Sequence, residues 1–347
     1  MEIKEILKPI NSMEVVDRKT IKAGIKIPAN KSKVKNNYKG EIAALFSVAK
    51  ENKIRPGIGN VLVTKNTIMS TDLECTLIIP NNYKINPGVG VYNKLMFETE
   101  QFSDIFSEQV EHFPEIRINS EGQSSIYDRE ELLSKLEGVI FSAAKSQDNL
   151  SVNCVRFNKN YIAASDTYRL ITKELKSEIE FSLPLNSTKV LIKVLKLSSV
   201  DTIKVVLDNN QIDIFVGDYV LKSRIIDLVF PDVDSILDRQ TYSYKVTLKS
   251  EDIKSLFQNL SKVNNSFILD FKSKKVKAIG VKNKFESDIS IEGEVGFNKI
   301  SLNSKFILEY VKAHNVQQLT MELTSSHEAV MINGEYLVMP LAIREED

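Results

Sequence analysis

Phe113-Pro114-Glu115-Ile116 returns as Phe230-Pro231-Asp232-Val233, 117 residues further along the chain. Leu185-Asn186-Ser187 returns as Leu302-Asn303-Ser304 at the same spacing of 117, and each copy opens an apolar, helix-like run, VLIKVL (190–195) and FILEYV (306–311). A spacing shared by two unrelated motifs is the mark of an internal repeat, and three such periods nearly fill the 347 residues. A third echo, VLVTKNTIMSTD (61–72) against VRFNKNYIAASD (155–166), aligns without a gap at an offset of 94. The first repeat is therefore about 23 residues short between Asp72 and Phe113. These spacings predict three tandem domains, 1–119, 120–240 and 241–347, the first divergent, with an N-terminal extension and a shortened second half.

Within each repeat, short strands outnumber helices. Strands are predicted at Val61–Thr64, Ile203–Leu207, Gln211–Val216, Tyr219–Ile226, Phe267–Phe271, Leu319–Leu323 and Leu337–Met339, with Asp208-Asn209-Asn210 as a hairpin turn. Apolar spacing predicts helices at Glu41–Lys53, Arg129–Lys145, Ser187–Lys196, Glu251–Lys262 and Ser304–Ala313, with Ser250 as a candidate N-cap ahead of acids in the first turn. The fold class that follows is α+β, two helices packed on antiparallel sheet in each repeat, without the strand–helix–strand spacing of a dinucleotide-binding fold. The most linker-like stretches are Ala29–Lys39 and Asn119–Ser125.

Composition narrows the function classes. Lys+Arg and Asp+Glu are both 46, a balance that speaks against gripping nucleic acid by bulk charge but leaves room for a local basic stripe. Cys75 and Cys154 are too few for a disulfide framework or a four-cysteine zinc site, and His112, His314 and His327 have no ligand spacing. No apolar run reaches a membrane span and the first residues are too charged for a signal peptide, so a soluble, cytoplasmic protein is expected. Phosphate-loop, serine-nucleophile and zinc-protease motifs are all missing, so neither catalysis nor a cofactor or metal is expected.

Three features carry two readings each. Asp72 and Asp166, at equivalent repeat positions, read either as paired metal carboxylates or as strand-ending residues that satisfy backbone donors in the next turn; recurrence favours the scaffold reading. Lys189, Lys193 and Lys196 share one face of STKVLIKVLK, opposite Val190, Leu191, Val194 and Leu195. That face is either solvated or follows a phosphate backbone. Lys254 and Lys305 occupy the polar faces of the other two late helices. The C-terminal LVMPLAIREED reads as a closing edge strand or, with Val152, Leu170 and Phe306, as the wall of an apolar peptide groove.

Taken in order, these motifs resemble a known family. SDTYRL (165–170) is similar to the ATDGHRL segment of bacterial sliding clamps, the beta subunit of DNA polymerase III. GDYVLKSRIIDLVFPDVDSIL (217–237) is similar to the segment closing that family's middle domain, and RPGIGNVLV (55–63), STDLE (70–74) and VMPL (338–341) resemble its RPxLxNVLxE, ATDLE and VMPM patterns. The resemblance covers roughly residues 40–75 and 120–343. It implies a head-to-tail homodimeric ring around duplex DNA that tethers the replicative polymerase and has no chemistry of its own. Twelve helices at roughly 9 Å spacing make a circle about 34 Å across, leaving about 24 Å clear, enough for a duplex. It also implies DNA-facing Lys189, Lys193, Lys196, Lys254 and Lys305. The groove for short apolar peptides of polymerase and clamp loader is expected at Val152, Ser165, Thr167, Tyr168, Arg169, Leu170, Pro231, Ile236, Phe306, Leu337, Val338, Met339, Pro340 and Leu341. This chain departs from the family at Thr167-Tyr168, which replaces Gly-His, and at Ala342, where an Arg is usual. The competing readings are a clamp-like scaffold of a mobile element with a private partner and a metal-dependent nucleic-acid enzyme, which needs clustered carboxylates. The first 27 residues match the missing stretch in length and pattern, and are read in two ways: they rebuild the absent hairpin of the first repeat, or they form a disordered extension beside a truncated domain.

Overall fold

The computed structural model describes residues 38–49, 56–82, 90–99, 113–146 and 148–343. The proposed hairpin within residues 1–27 lies outside them. Seven α-helices are described: α1 (Tyr38–Val48), α2 (Lys94–Thr99), α3 (Arg129–Val139), α4 (Leu185–Leu197), α5 (Val233–Asp238), α6 (Ile253–Val263) and α7 (Ser304–His314). The strands are β1–β4 (Val61–Val63, Thr67–Thr71, Cys75–Pro80, Gly90–Tyr92), β5 (Gln123–Asp128), β6–β9 (Cys154–Phe157, Tyr161–Ser165, Arg169–Glu174, Phe181–Pro184), β10–β12 (Thr202–Asp208, Gln211–Val216, Tyr219–Arg224), β13–β15 (Tyr244–Lys249, Ser266–Asp270, Lys275–Ile279), β16–β18 (Lys284–Asp288, Ser290–Glu292, Lys299–Asn303) and β19–β21 (Gln318–Leu323, Val330–Ile332, Tyr336–Val338). The described residues form two compact units. One comprises those up to 133 and 177–227, the other 134–176 and those from 228 onward.

The first unit is built on one antiparallel sheet in the order β4-β1-β2-β3-β12-β11-β10-β5. It runs without a break from the first repeat into the second through β3 and β12, where Leu77 faces Leu221 and Ile78 faces Val220. Helices α1 and α4 pack against one another at Gly40, where a Cβ would stand 2.6 Å from a methyl group of Leu197, so a larger residue would have to displace that side chain. The apolar stripe of α4 is buried, whereas Lys189, Lys193 and Lys196 are exposed, as its 3.6-residue period requires. In place of a linker over Asn119–Ser125, β5 begins at Gln123 and takes up the open edge of β10; Gly122, at φ 148, brings the chain against the Leu207 carbonyl.

In the second unit, strands run β17-β13-β19-β20-β21-β8-β7-β6, and a four-stranded sheet runs β16-β15-β14-β18. Here too a sheet crosses a repeat boundary: Leu170 of β8 faces Leu337 of β21. The C-terminal strand is thus internal, flanked by β20 and β8, rather than a closing edge. Helices α6 and α7 pack together, and Phe257 of α6 meets Phe267 of β14 edge-on at 5.3 Å between ring centres. Asp252, not Ser250, caps α6, its Oδ1 accepting from the Ser255 N–H at 2.8 Å, because the chain turns into the helix only at Ile253. Asn303 caps α7, but its repeat partner Asn186 lies inside α4, which begins earlier, after Pro184. The two compact units cut through the middle repeat because strand pairing crosses both boundaries.

Candidate partner groove and basic helix faces

The segment Ser165–Leu170 is a turn held by its own side chains. Asp166 Oδ1 accepts from the Tyr168 N–H at 3.1 Å, and Ser165 Oγ donates to the Arg169 carbonyl at 2.7 Å. Asp72 does the same work one repeat earlier, accepting from the Glu74 and Cys75 N–H groups at 3.1 and 2.7 Å. Both aspartates are turn residues, and among the described residues no group of three or more His, Cys, Asp or Glu side chains is placed to hold a metal ion. The turn forces Thr167 to φ 78, a left-handed conformation that a β-branched residue adopts at a cost of about 1 kcal/mol. Thr167→Gly is therefore expected to stabilise the protein by about that amount, seen as a raised urea midpoint; a lowered midpoint would show that the Thr167 side chain holds the turn.

Strand alternation divides the expected groove residues into two sets. Leu170 and Leu337 face one another across β8 and β21, both about one-twentieth exposed, and the Met339 N–H continues the pairing to the Tyr168 carbonyl at 2.9 Å. Tyr168 and Met339, on that same face, are exposed at 64% and 42%. Pro231, just before α5, and Ile236, within it, are both half-buried. Pro340 and Leu341 are half-buried, and the Leu341 N–H donates to the Ser301 carbonyl at 2.8 Å. Leu170, Leu337 and Met339, rimmed by Tyr168, are thus the apolar residues whose strand positions share a face.

Arg169 and Val338 point to the opposite face and are buried, as is Val152 in a short 3-10 turn; none of the three is a surface side chain. Arg169 is instead the centre of a buried network. It pairs with Asp166 at 2.8 Å and Glu309 at 2.6 Å, donates to the Phe141 carbonyl at 2.8 Å, and lies 4.1 Å from the centre of the Phe306 ring. Burial pushes the Glu309 carboxyl up, but hydrogen bonds from Lys145 and Arg169 more than reverse this and hold it below the usual range. Composition reasoning missed this network, although an Arg at an inward strand position with a Glu on the later helix was a signal for it.

Beneath β21, Tyr336 stacks on Tyr310 at 4.9 Å, and Tyr310 stacks on His314 at 4.4 Å. Burial, reinforced by the nearby Lys173, pushes the His314 imidazole below its ordinary 6.5, outweighing the Tyr310 carbonyl and Glu335. A depressed folded value means that the unfolded chain takes the proton more readily. The stability is full above pH 6.5 and is lost as pH falls below it. Thermal midpoints measured from pH 7.5 down to 5.5 are expected to fall, and His314→Gln to flatten that fall; an equally steep profile in the variant would assign it to other groups.

Lys254 and Lys305 are exposed on α6 and α7, as the three lysines of α4 are on theirs. Among the described residues, Lys189, Lys193, Lys254 and Lys305 make no ion pair, whereas Glu309, the acid between Lys305 and Lys312, is turned away into the Arg169 network.

No protein-family model matches the chain. An alignment 198 positions long, covering 52% of the chain, is 22% identical to the beta sliding clamp of Mycoplasma capricolum and spans about half (51%) of that protein. Solved structures match far more of the chain. The DNA polymerase III beta subunit of Thermotoga maritima aligns with a TM-score of 0.73 at 22% identity, over 89% of this chain and 98% of its own. A sliding clamp from Bartonella birtlesii, bound to griselimycin, aligns at 0.75 and 16% identity over 90% and 99%, and a putative beta subunit from Eubacterium rectale at 0.75 and 14% over 89% and 98%. The chain is similar to the beta sliding clamps in sequence and has their fold.

Proposed function

We propose that this chain, folded as the DNA polymerase III beta subunits are, is a DNA sliding clamp. Three repeats, 1–119, 120–240 and 241–347, form each subunit, and two subunits close head to tail around duplex DNA in the cytoplasm. The ring holds DNA by topology and tethers the replicative polymerase as a processivity factor, without catalysis of its own. The observation that carries this reading is the alignment of nearly the whole chain with nearly the whole of several beta subunits, at TM-scores of 0.73 to 0.75. Balanced charge agrees with it. A protein retained by closure needs only weak phosphate contacts, near the non-specific range of about 10⁻⁴–10⁻⁶ M, and weak contacts permit sliding.

Within this reading, Lys189, Lys193, Lys196, Lys254 and Lys305 face the duplex, and the Leu170–Leu337–Met339 face receives short apolar segments of polymerase and clamp loader. The lysines suit the role because they are exposed on helix faces, and the groove suits its own because apolar side chains converge beside an exposed rim. The test is retention. The loaded protein should sediment at twice 39.3 kDa and stay on nicked circular DNA at moderate salt, and should leave when the circle is linearised. Equal retention on linear DNA with free ends would overturn the proposal.

A further inference from the structure

The backbone that frames the Leu170–Leu337–Met339 face occurs twice. At the junction of the first two repeats Leu73 takes φ 75 where Thr167 takes 78, and Thr76 faces Lys222 where Leu170 faces Leu337. The Arg224 N–H donates to the Glu74 carbonyl at 2.8 Å where Met339 donates to Tyr168 at 2.9 Å. Pro114, from the first Phe-Pro motif, stands where Pro231 does. This earlier frame encloses a cleft of about 260 Å³, lined among others by Leu73, Thr76, Pro114, Ile116, Lys222 and Arg224. The side chains have changed character: the three apolar positions of the later face have become a hydroxyl and two cations.

We propose that this cleft is a second peptide-binding site, taking an extended segment in which a carboxylate side chain neighbours an apolar one. Its chemistry selects that occupant. Lys222 is already paired with the buried Asp213 at 3.2 Å, and Arg117, a third cation of the lining, stands 3.6 Å from Glu115, which leaves Arg224, exposed and in no ion pair among the described residues, as the receptor for a carboxylate. Leu73, Pro114 and Ile116 provide an apolar wall for the neighbouring side chain. Glu74 and Glu115 line the same cleft, and their charges repel a run of phosphates, so a peptide with one or two acids is favoured over nucleic acid. The site does not depend on the later groove being a peptide site, because it rests on its own cleft and charges.

A random 12-residue peptide library displayed on phage, panned against the full chain carrying Met339→Glu so that the later face is disabled, tests it. Peptides with Asp or Glu beside Leu, Ile or Phe should be enriched. Synthetic copies should bind at least tenfold more weakly to Arg224→Glu and several-fold more weakly to Arg224→Gln, both made in that background. Arg224 is exposed and enters the strand pairing only through its backbone, so both variants keep the fold, checked by circular dichroism. No enrichment, enrichment of basic or purely apolar peptides, or equal binding to the Arg224 variants would overturn the proposal.

Discussion

Met339→Glu is expected to abolish binding of apolar partner peptides, by a hundredfold or more in affinity, in a protein that melts as the parent does. Met339 is 42% exposed and contributes to the sheet through its backbone N–H, so the fold does not need its side chain. A bound peptide would cover it together with Leu170 and Leu337, and a carboxylate placed there would be desolvated without a partner. Arg169 cannot rescue it, because that guanidinium lies on the opposite face and is committed to Asp166 and Glu309. A buried charge left without a partner costs about 3–5 kcal/mol, which is a hundredfold or more in affinity. Leu170→Glu should be equally damaging to binding but is the poorer probe, since Leu170 is only 5% exposed and the change also strains the sheet. Calorimetric titration of a short Leu- and Phe-rich peptide from a cognate polymerase decides the matter: an unchanged affinity in folded Met339→Glu sinks the groove assignment.

Reversing Lys189, Lys193 and Lys196 together to Glu should cut loading onto circular DNA tenfold or more. All three side chains are exposed opposite the buried stripe of α4, so thermal stability should hardly move. If each lysine neutralises one phosphate, each one lost lowers the slope of log affinity against log salt by up to about 0.9. Fluorescence anisotropy over a salt series reads that slope directly. The parent slope in the triple variant, together with normal loading, would leave these lysines a solvated face and nothing more.

The repeat was legible because its markers are side chains that the backbone itself requires: an aspartate that ends a strand and caps the next turn, and a proline at a bend. Helix α7 lies within one residue of its expected end because Ser304 and the apolar period of FILEYV mark it on both sides. Strands β15 and β16 were missed. β15 alternates between half-buried and buried residues and β16 between exposed and half-buried ones, with Lys275 and Glu286 paired across them at 3.0 Å, so the charged residues hide the period of two. The groove was legible as a set of residues but not as a face. One strand supplies both Leu170, which belongs to it, and Arg169, which belongs to the core beneath, and only strand pairing tells them apart. The cleft at Arg224 escaped notice because the motifs that mark the later junction are apolar, and their counterparts here are not.

Strand pairing across repeat boundaries also sets how this molecule can come apart. The Leu77–Ile78 and Val220–Leu221 amides sit in one hydrogen-bonded ladder, so they should open and exchange with solvent as one cooperative block, although 141 residues of chain lie between them. A fragment ending at residue 119 would strip β12 from β3 and leave a row of unsatisfied donors and acceptors, the sort of edge that recruits another chain. The three repeats read as beads on a string, yet the string is knotted into the beads: a protease or a truncation that respects the sequence period cuts through the most cooperative part of the sheet.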